Sequence, residues 1–372
     1  MDSLDGMSSI PDRSDIERHS IELIRRHTPA RPYGGHSDVC SRVLAAVESQ
    51  ASASTIGGKR LRARLALAAH SALGSGTSSA MLDLACAIEI FQTAALIHDD
   101  IIDDSDLRRG RPSAHKALGD ELGDPRIGRG LGLMMGDVLA TCSIDVAADA
   151  SRSLPNGQEI VSSFLAMQRD VGMGQVLDLA VELAPLSEPD RLAQASLNVF
   201  RWKTASYTTI APLELGFLAS GSLDPASCAR AAHAIGEPLG VAFQLEDDLL
   251  DVVGTSSATG KPVGGDIREG KRTVLLADAI DAATPSDRAT LIGMFDKDAR
   301  TDDDVETTIR LFHDTGALDR SRRRISALWS RAVRELDALG LEGSKRDLMR
   351  KSCMDFVPMM MDAKNDPQQP LD

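Results

Sequence analysis

Apolar residues recur along this chain every three or four positions, the period of a helix with one buried face, almost from end to end. Ala, Leu, Arg and Glu dominate, and the alternating Val, Ile, Tyr and Phe pattern of a strand is nearly absent. Breakers interrupt the helical pattern at Gly74–Gly76, Leu154–Gly157, Ala184–Pro189, Gly221–Pro225, Gly254–Gly270 and Thr284-Pro285. Helices are predicted to start near Ser79, at Asp190, and at Asp224-Pro225, an N-cap followed by a first-turn proline. No repeat of solenoid length and no separating linker is visible. The pattern predicts an all-α fold: a single large helical bundle over residues 15–361, with disordered tails at 1–14 and 362–372.

Composition narrows the function. The length of 372 residues leaves room for two domains, but without a linker one large domain is the reading. An apolar share of 42% is enough to build a core. A net charge of −14 and few aromatic rings argue against a nucleic-acid surface. The first residues are acidic and lack the apolar stretch of a secretory signal. No uninterrupted apolar run is long enough for an integral membrane segment. The five cysteines are scattered without metal-type spacing, which predicts reduced thiols and a cytoplasmic location.

The chemistry concentrates in two acidic segments. The first is Leu96-Ile97-His98-Asp99-Asp100-Ile101-Ile102-Asp103-Asp104, closing the apolar helix that starts near Ser79. On a helix Asp99 and Asp103 share one face, and Asp100 and Asp104 share another. Such like charges repel, and the helix C-terminus disfavours them further. A solvated helix end would explain one such segment. The second, Phe243-Gln244-Leu245-Glu246-Asp247-Asp248-Leu249-Leu250-Asp251, repeats the pattern with Gln244, Asp247, Asp248 and Asp251 on one face. Two matching segments point to hard cations, and oxygen-only ligands point to Mg²⁺. Because Mg²⁺ commonly fills its shell with substrate phosphates, the expected substrate is a diphosphate.

Basic residues stand close by. Gly57-Gly58-Lys59-Arg60-Leu61-Arg62 lies at a helix start, where backbone amides favour anions. Arg108-Arg109-Gly110-Arg111-Pro112 follows the first acidic segment. Arginine suits forked phosphate recognition, although ion pairing with the aspartates is an equal reading. Lys203-Thr204 falls mid-helix, and Lys261 and Lys271 flank a Gly-rich loop. Gln175 and Asp178 sit inside an apolar helix and need polar partners. His98 and His115 are read as pairing with nearby acids.

With these residues in order, the chain resembles the trans-isoprenyl diphosphate synthases, or polyprenyl synthetases, over roughly residues 20–350. The resemblance rests on GGKRLR at 57–62, HDDIID at 98–103, LRRGRP at 107–112, GQVLDL at 174–179, KTASY at 203–207, FQLEDDLLD at 243–251 and GK…GKRT ending at Thr273. It implies a helical bundle around a central cavity, usually a homodimer. It implies an allylic diphosphate bound through three Mg²⁺ ions, with isopentenyl diphosphate as the second substrate. By this likeness Asp99, Asp103 and Asp247 bind metal, supported by Asp100, Asp248 and Asp251. Arg108, Lys203, Thr204, Gln244 and Lys261 resemble the allylic-diphosphate contacts, with Lys271 among the substrate-binding cations and Lys203, Thr204 and Gln244 in the catalytic role. Lys59, Arg62 and Arg109 resemble the isopentenyl-diphosphate contacts. Gln92 stands where relatives usually carry histidine, and Ala63 where a proline commonly follows GGKRLR.

The implied reaction is Mg²⁺-dependent head-to-tail condensation of isopentenyl diphosphate with an allylic diphosphate. Ala95 and Ala94, four and five residues before Asp99, are too small to stop the growing chain, and Phe91 comes one turn deeper. With about one helical turn per isoprene unit, Phe91 predicts a geranylgeranyl product. Farnesyl or longer products stand as alternatives. A terpene cyclase and a non-catalytic modulating subunit are the competing readings. A cyclase needs neither GGKR nor the second acidic segment, and a modulating subunit typically loses acidic residues that are all present here.

Overall fold

The computed structural model describes residues 10–28, 38–74, 78–254 and 263–359. Their regular structure is helical apart from one two-stranded hairpin. The chain divides into two compact units, residues 1–165 with 212–228 and residues 166–211 with 229–372.

In the first unit, α1 (Arg13–His27) starts inside the segment read as a tail, because Asp12 accepts the Asp15 amide and caps it. Helices α2 (Asp38–Thr55) and α3 (Leu61–Leu73) follow. Helix α4 (Ser79–Ile102) begins where predicted, capped by the Ser78 hydroxyl on Met81 N. Helices α5 (Ala114–Leu122) and α6 (Pro125–Ser151) complete the group, with α6 packed along α4 and α5. Asp124 caps α6 and Pro125 fills its first turn. Both α4 and α6 have the length and apolarity of a membrane span, although no uninterrupted apolar run reveals it. Two thirds of the apolar stretch of α4 is buried, as in the core helix of a packed bundle.

Helices α7 (Gly157–Val181), α8 (Pro189–Val199), α9 (Ala211–Ser220) and α10 (Pro225–Val253) carry the chain onward. Between α8 and α9 the backbone winds as a π-helix over Phe200–Ile210. Asp224-Pro225 opens α10 as predicted, with Asp224 accepting Ser227 N. Asp190, by contrast, lies in the first turn of α8 rather than at its cap: Glu188 takes the cap and Pro189 the first helical position. In the second unit α8 packs on the buried helix Val274–Ala282, which also packs on Ala317–Asp337. None of the five cysteines forms a disulfide.

Helix Asp302–Asp314 shows how local chemistry fixes an element boundary. Thr301 Oγ1 accepts Asp304 N, and Asp304 accepts Thr301 N in return, a reciprocal capping box. Lys297 Nζ lies 2.6 Å from Asp304 Oδ1. Lys297 and the Thr301 amide hold the Asp304 carboxyl down at about 2. A depressed carboxylate stabilises the fold above its ordinary range and loses that contribution as pH falls toward its folded value. Asp304→Asn is therefore expected to lower the urea midpoint at pH 7. The gap to wild type should shrink as pH drops below about 4, and a gap independent of pH would remove the charge from the account.

Candidate active site

Helix α4 delivers the first acidic cluster at its C-terminal end. Asp100 is 2% exposed, whereas Asp99 and Asp103 are half-buried and Asp104 is exposed. Asp103 is the residue at which the helix stops. The concentration of negative charge there is countered from three sides. Arg129 of α6 donates to Ile101 O at 2.9 Å and to Asp104 at 3.3 Å. Lys116 lies 3.3 Å from Asp104 and 3.1 Å from Asp106. Arg108 donates from Nε to Asp100 at 2.8 Å, also reaches it through Nη2, and approaches Asp99 at 3.7 Å.

Arg108 reaches Asp100 because of a turn that the helical pattern did not predict. Leu107–Arg108 pairs antiparallel with Arg111–Pro112 around Arg109-Gly110, both of which have positive φ (54° and 72°). This is the mirror-image turn that suits a two-residue hairpin, and glycine takes its second position without strain. Arg109 turns the other way from Arg108 and donates to Ile56 O and Gly57 O, both at 3.0 Å. A pocket of about 450 Å³ opens here, lined by Gly57, Gly58, Asp100, Arg108, Arg109 and Arg111 among others. The pocket lining does not include Lys59, Arg62 or Gln92. Lys59 is exposed, Arg62 buried and Gln92 half-buried.

The second unit builds the other acidic cluster on α10. Gln244 sits at its centre: its Oε1 accepts from Thr204 at 2.9 Å and its Nε2 donates to Asp248 Oδ1 at 2.9 Å. Asp248 is buried, and its Oδ2 accepts no hydrogen bond among the described residues. Asp247, placed on the same face by spacing, is instead exposed. Asp251 accepts the amides of Gly265 and Asp266, both at 3.1 Å. Lys203 lies in the π-helical stretch beside Thr204, and its Nζ is 2.6 Å from Asp178. Asp178 thereby finds the polar partner that its position in α7 required. The π winding also brings the backbone of Lys203 against Gly174. Lys261 lies outside the described residues.

The family model for polyprenyl synthetase matches residues 46–312. The chain belongs to the polyprenyl synthetase family. This synthetase is 34% identical to the short chain isoprenyl diphosphate synthase of Methanothermobacter thermautotrophicus, over 64% of its own length and 68% of that protein's. It is 30% identical to the geranylfarnesyl diphosphate synthase of Aeropyrum pernix, over 72% and 79% respectively. Among solved structures it resembles the geranylgeranyl pyrophosphate synthase of Corynebacterium glutamicum complexed with isoprenyl diphosphate and magnesium. That likeness has a TM-score of 0.80 at 31% identity, covering 93% of this chain and 99% of that one. The polyprenyl synthetase is thus a prenyltransferase with the all-α fold that its sequence pattern predicts.

The side chains of this synthetase suit Mg²⁺. The donors are carboxylates, and Asp248 offers a buried oxygen that accepts no hydrogen bond among the described residues. No group of three or more His, Cys, Asp or Glu converges on one point among the described residues. Burial pushes Asp100 above the ordinary carboxylate range although Arg108 opposes it. Burial, with Asp266 nearby, pushes Asp248 well above. Burial likewise lifts Asp266 to about 6 against the pull of Lys271, which lies 3.7 Å away. A cation bound beside these groups would relieve the strain of holding them charged.

Three acids escaped sequence reasoning in this synthetase. Asp266 joins the second cluster from the Gly-rich loop, and its place five residues before Lys271 was the available signal. Glu89 is 1% exposed on α4, accepts Ala63 N at 3.0 Å and pairs with Arg60 at 3.3 Å. Glu17 on α1 completes that group, as described below. A charged residue in the apolar run of α4 was the signal for Glu89. For Glu17 the sequence gives none.

Proposed function

We propose that the chain condenses isopentenyl diphosphate head to tail with an allylic diphosphate to make a trans-polyprenyl diphosphate, most simply geranylgeranyl diphosphate. The observation that carries this reading is the pairing of each carboxylate cluster with cations. Arg108 lies on Asp100 in one unit, and Lys203 stands beside the Thr204–Gln244–Asp248 chain in the other. Asp99 and Asp103, and Asp247 with Asp248 and Asp251, would hold Mg²⁺, three ions per site when diphosphate is bound. Mg²⁺ supplies charge neutralisation for the diphosphate leaving group. Arg108, Lys203, Lys261 and Lys271 add positive charge where the leaving oxygens gain negative charge. Thr204 orients Gln244 by donating to its carbonyl, so the amide presents a fixed face. Arg109, with Lys59, Arg62 and Gln92, receives the isopentenyl diphosphate. Gln92 contributes a donor without charge where a histidine could carry one. The apolar faces of the helices keep water from the allylic cation.

The assay is purified protein with Mg²⁺, isopentenyl diphosphate and each allylic primer in turn, followed by chromatography of the extracted products. Cyclic hydrocarbon formed from an allylic diphosphate alone would favour a cyclase, and no turnover of any primer would overturn the reading.

Product length follows from α4. Ala94 and Phe91 are buried and Ala95 half-buried on the helix that ends in the first acidic cluster. Phe91→Ala is expected to lengthen the products by at least one isoprene unit, and Ala94→Phe to shorten them toward farnesyl. An unchanged product range in both variants would move the length determinant off α4.

Leu133, Met134 and Val138 form an exposed apolar stripe on α6, 46%, 51% and 47% exposed. A second copy of the chain covers it in the homodimer proposed here, and sedimentation at twice the 39.7 kDa subunit mass is the expected result.

A further inference from the structure

Helix α1 reaches the loop that precedes α3 through the Glu17 carboxylate. Glu17 Oε2 accepts Gly57 N at 2.6 Å and Arg60 Nη2 at 3.0 Å. The loop it meets is unusual in its backbone. Gly57, Gly58 and Arg60 all have positive φ, 87°, 91° and 53°. Two glycines accept this without strain, but Arg60 does not, and a left-handed arginine costs about 1–2 kcal/mol. Arg60 is held there from several sides. Its side chain is 1% exposed and bonds to Glu17, Glu89 and Thr55 O. Arg60 belongs to the basic GGKRLR motif, but its guanidinium is taken up by the scaffold.

Because Arg60 is turned inward, the outer face of the loop is left to Arg109. A Cβ on Gly58 would stand 2.9 Å from Arg109 Nη2, so the guanidinium lies directly on the glycine backbone. The conformation of residues 56–60 therefore decides where Arg109 sits, since Arg109 is bonded to Ile56 O and Gly57 O.

We propose that Glu17 is a positioning residue: from a helix outside the family-matched segment it locks the 56–60 loop and, through it, places Arg109 for the diphosphate of isopentenyl diphosphate. The proposal rests on the functional reading above for the identity of that anion. Burial pulls the Glu17 carboxyl upward, but the Gly57 amide and the Arg60 guanidinium outweigh it and keep the group ionised below its ordinary value. Glu17 is not what docks α1. Ile16, Leu23 and Ile24 are buried, His19 pairs with Asp83, and Cys86 Sγ contacts Ile16 O. Removing the carboxylate should therefore free the loop and leave the helix in place.

The test compares wild type with Glu17→Gln and Glu17→Ala. Glu17→Gln keeps an acceptor for Gly57 N and loses the charge for Arg60; Glu17→Ala loses both. Calorimetric titration with isopentenyl diphosphate reads the subsite without turnover. The expected result is a Kd weakened about ten-fold in Glu17→Ala and less in Glu17→Gln, because a charge-assisted hydrogen bond is removed. Amide exchange should speed up at residues 56–60 while α1 stays protected. Steady-state kinetics should raise KM for isopentenyl diphosphate alone, with the allylic KM and kcat within about two-fold of wild type. A wild-type Kd in Glu17→Ala, unchanged exchange at 56–60, or an equal rise in both KM values would each overturn the assignment. A wild type that binds isopentenyl diphosphate without condensing it would sink the functional reading and leave the role of Glu17 standing.

Discussion

Asp247→Ala is expected to lower kcat on the order of a thousand-fold while leaving the helical circular-dichroism signal unchanged. Asp247 is exposed on α10, so truncation removes almost no packing. Its loss is electrostatic: a carboxylate that would carry Mg²⁺ charge toward a diphosphate is gone, while Asp248 is buried and Asp251 is already bonded to the Gly265 and Asp266 amides. Asp99→Ala should behave similarly. Asp100→Ala should differ in kind, because it also strands the half-buried Arg108. That variant is expected to lose stability together with activity. EDTA should silence the wild type and added Mg²⁺ should restore it. Turnover that survives EDTA would remove the metal from the mechanism, and an Asp247→Ala enzyme within ten-fold of wild type would remove Asp247 from the site.

Gly174→Ala is expected to be nearly as damaging from a residue that touches no substrate. A Cβ there would stand 2.3 Å from Lys203 N, 2.5 Å from Lys203 Cα and 2.7 Å from Trp202 C. These are backbone atoms, so no rotamer change relieves the overlap, and α7 must part from the π-helical stretch. Overpacking of this kind costs about 1–3 kcal/mol of stability. Displacing Lys203 and Thr204 by about 1 Å should lower kcat about a hundred-fold. Gly172→Ala is the control on the same helix. Among the described residues nothing outside its own helix lies within 4 Å of a Cβ there, and alanine is the better helix former, so activity should hold and stability rise slightly. Equal effects of the two substitutions would show that helix flexibility, not the close approach to Lys203, sets the outcome.

Much of this architecture was written in local chemistry. The apolar period that starts at Ser79 and the acid run that ends at Asp104 fixed α4, because a helix face and a capping serine need only near neighbours. The DDxxD spacing likewise needed nothing beyond the helical repeat. What was hidden depends on contacts across long stretches of chain. That Asp247 is exposed and Asp248 buried depends on how α10 packs, and spacing alone put both on one face. The π winding at Lys203 and its close approach to Gly174 were hidden as well, since the sequence shows Gly174 only as a glycine in a helix. The Arg109-Gly110 hairpin was masked because two-residue strands are too short to show an alternating pattern. Glu17 is the extreme case: forty residues separate it from the glycine it holds.

One feature of α4 bears on how enzymes of this kind diversify. Phe91 and Asp99 ride on one unbroken helix, about 12 Å apart along its axis. Substitutions near Phe91 can therefore be tried by mutation while the rod holds the carboxylates in register. On the proposed reading, in which Phe91 bounds the product, descendants of one ancestor would drift in product length by whole isoprene steps without first losing and then rebuilding their chemistry.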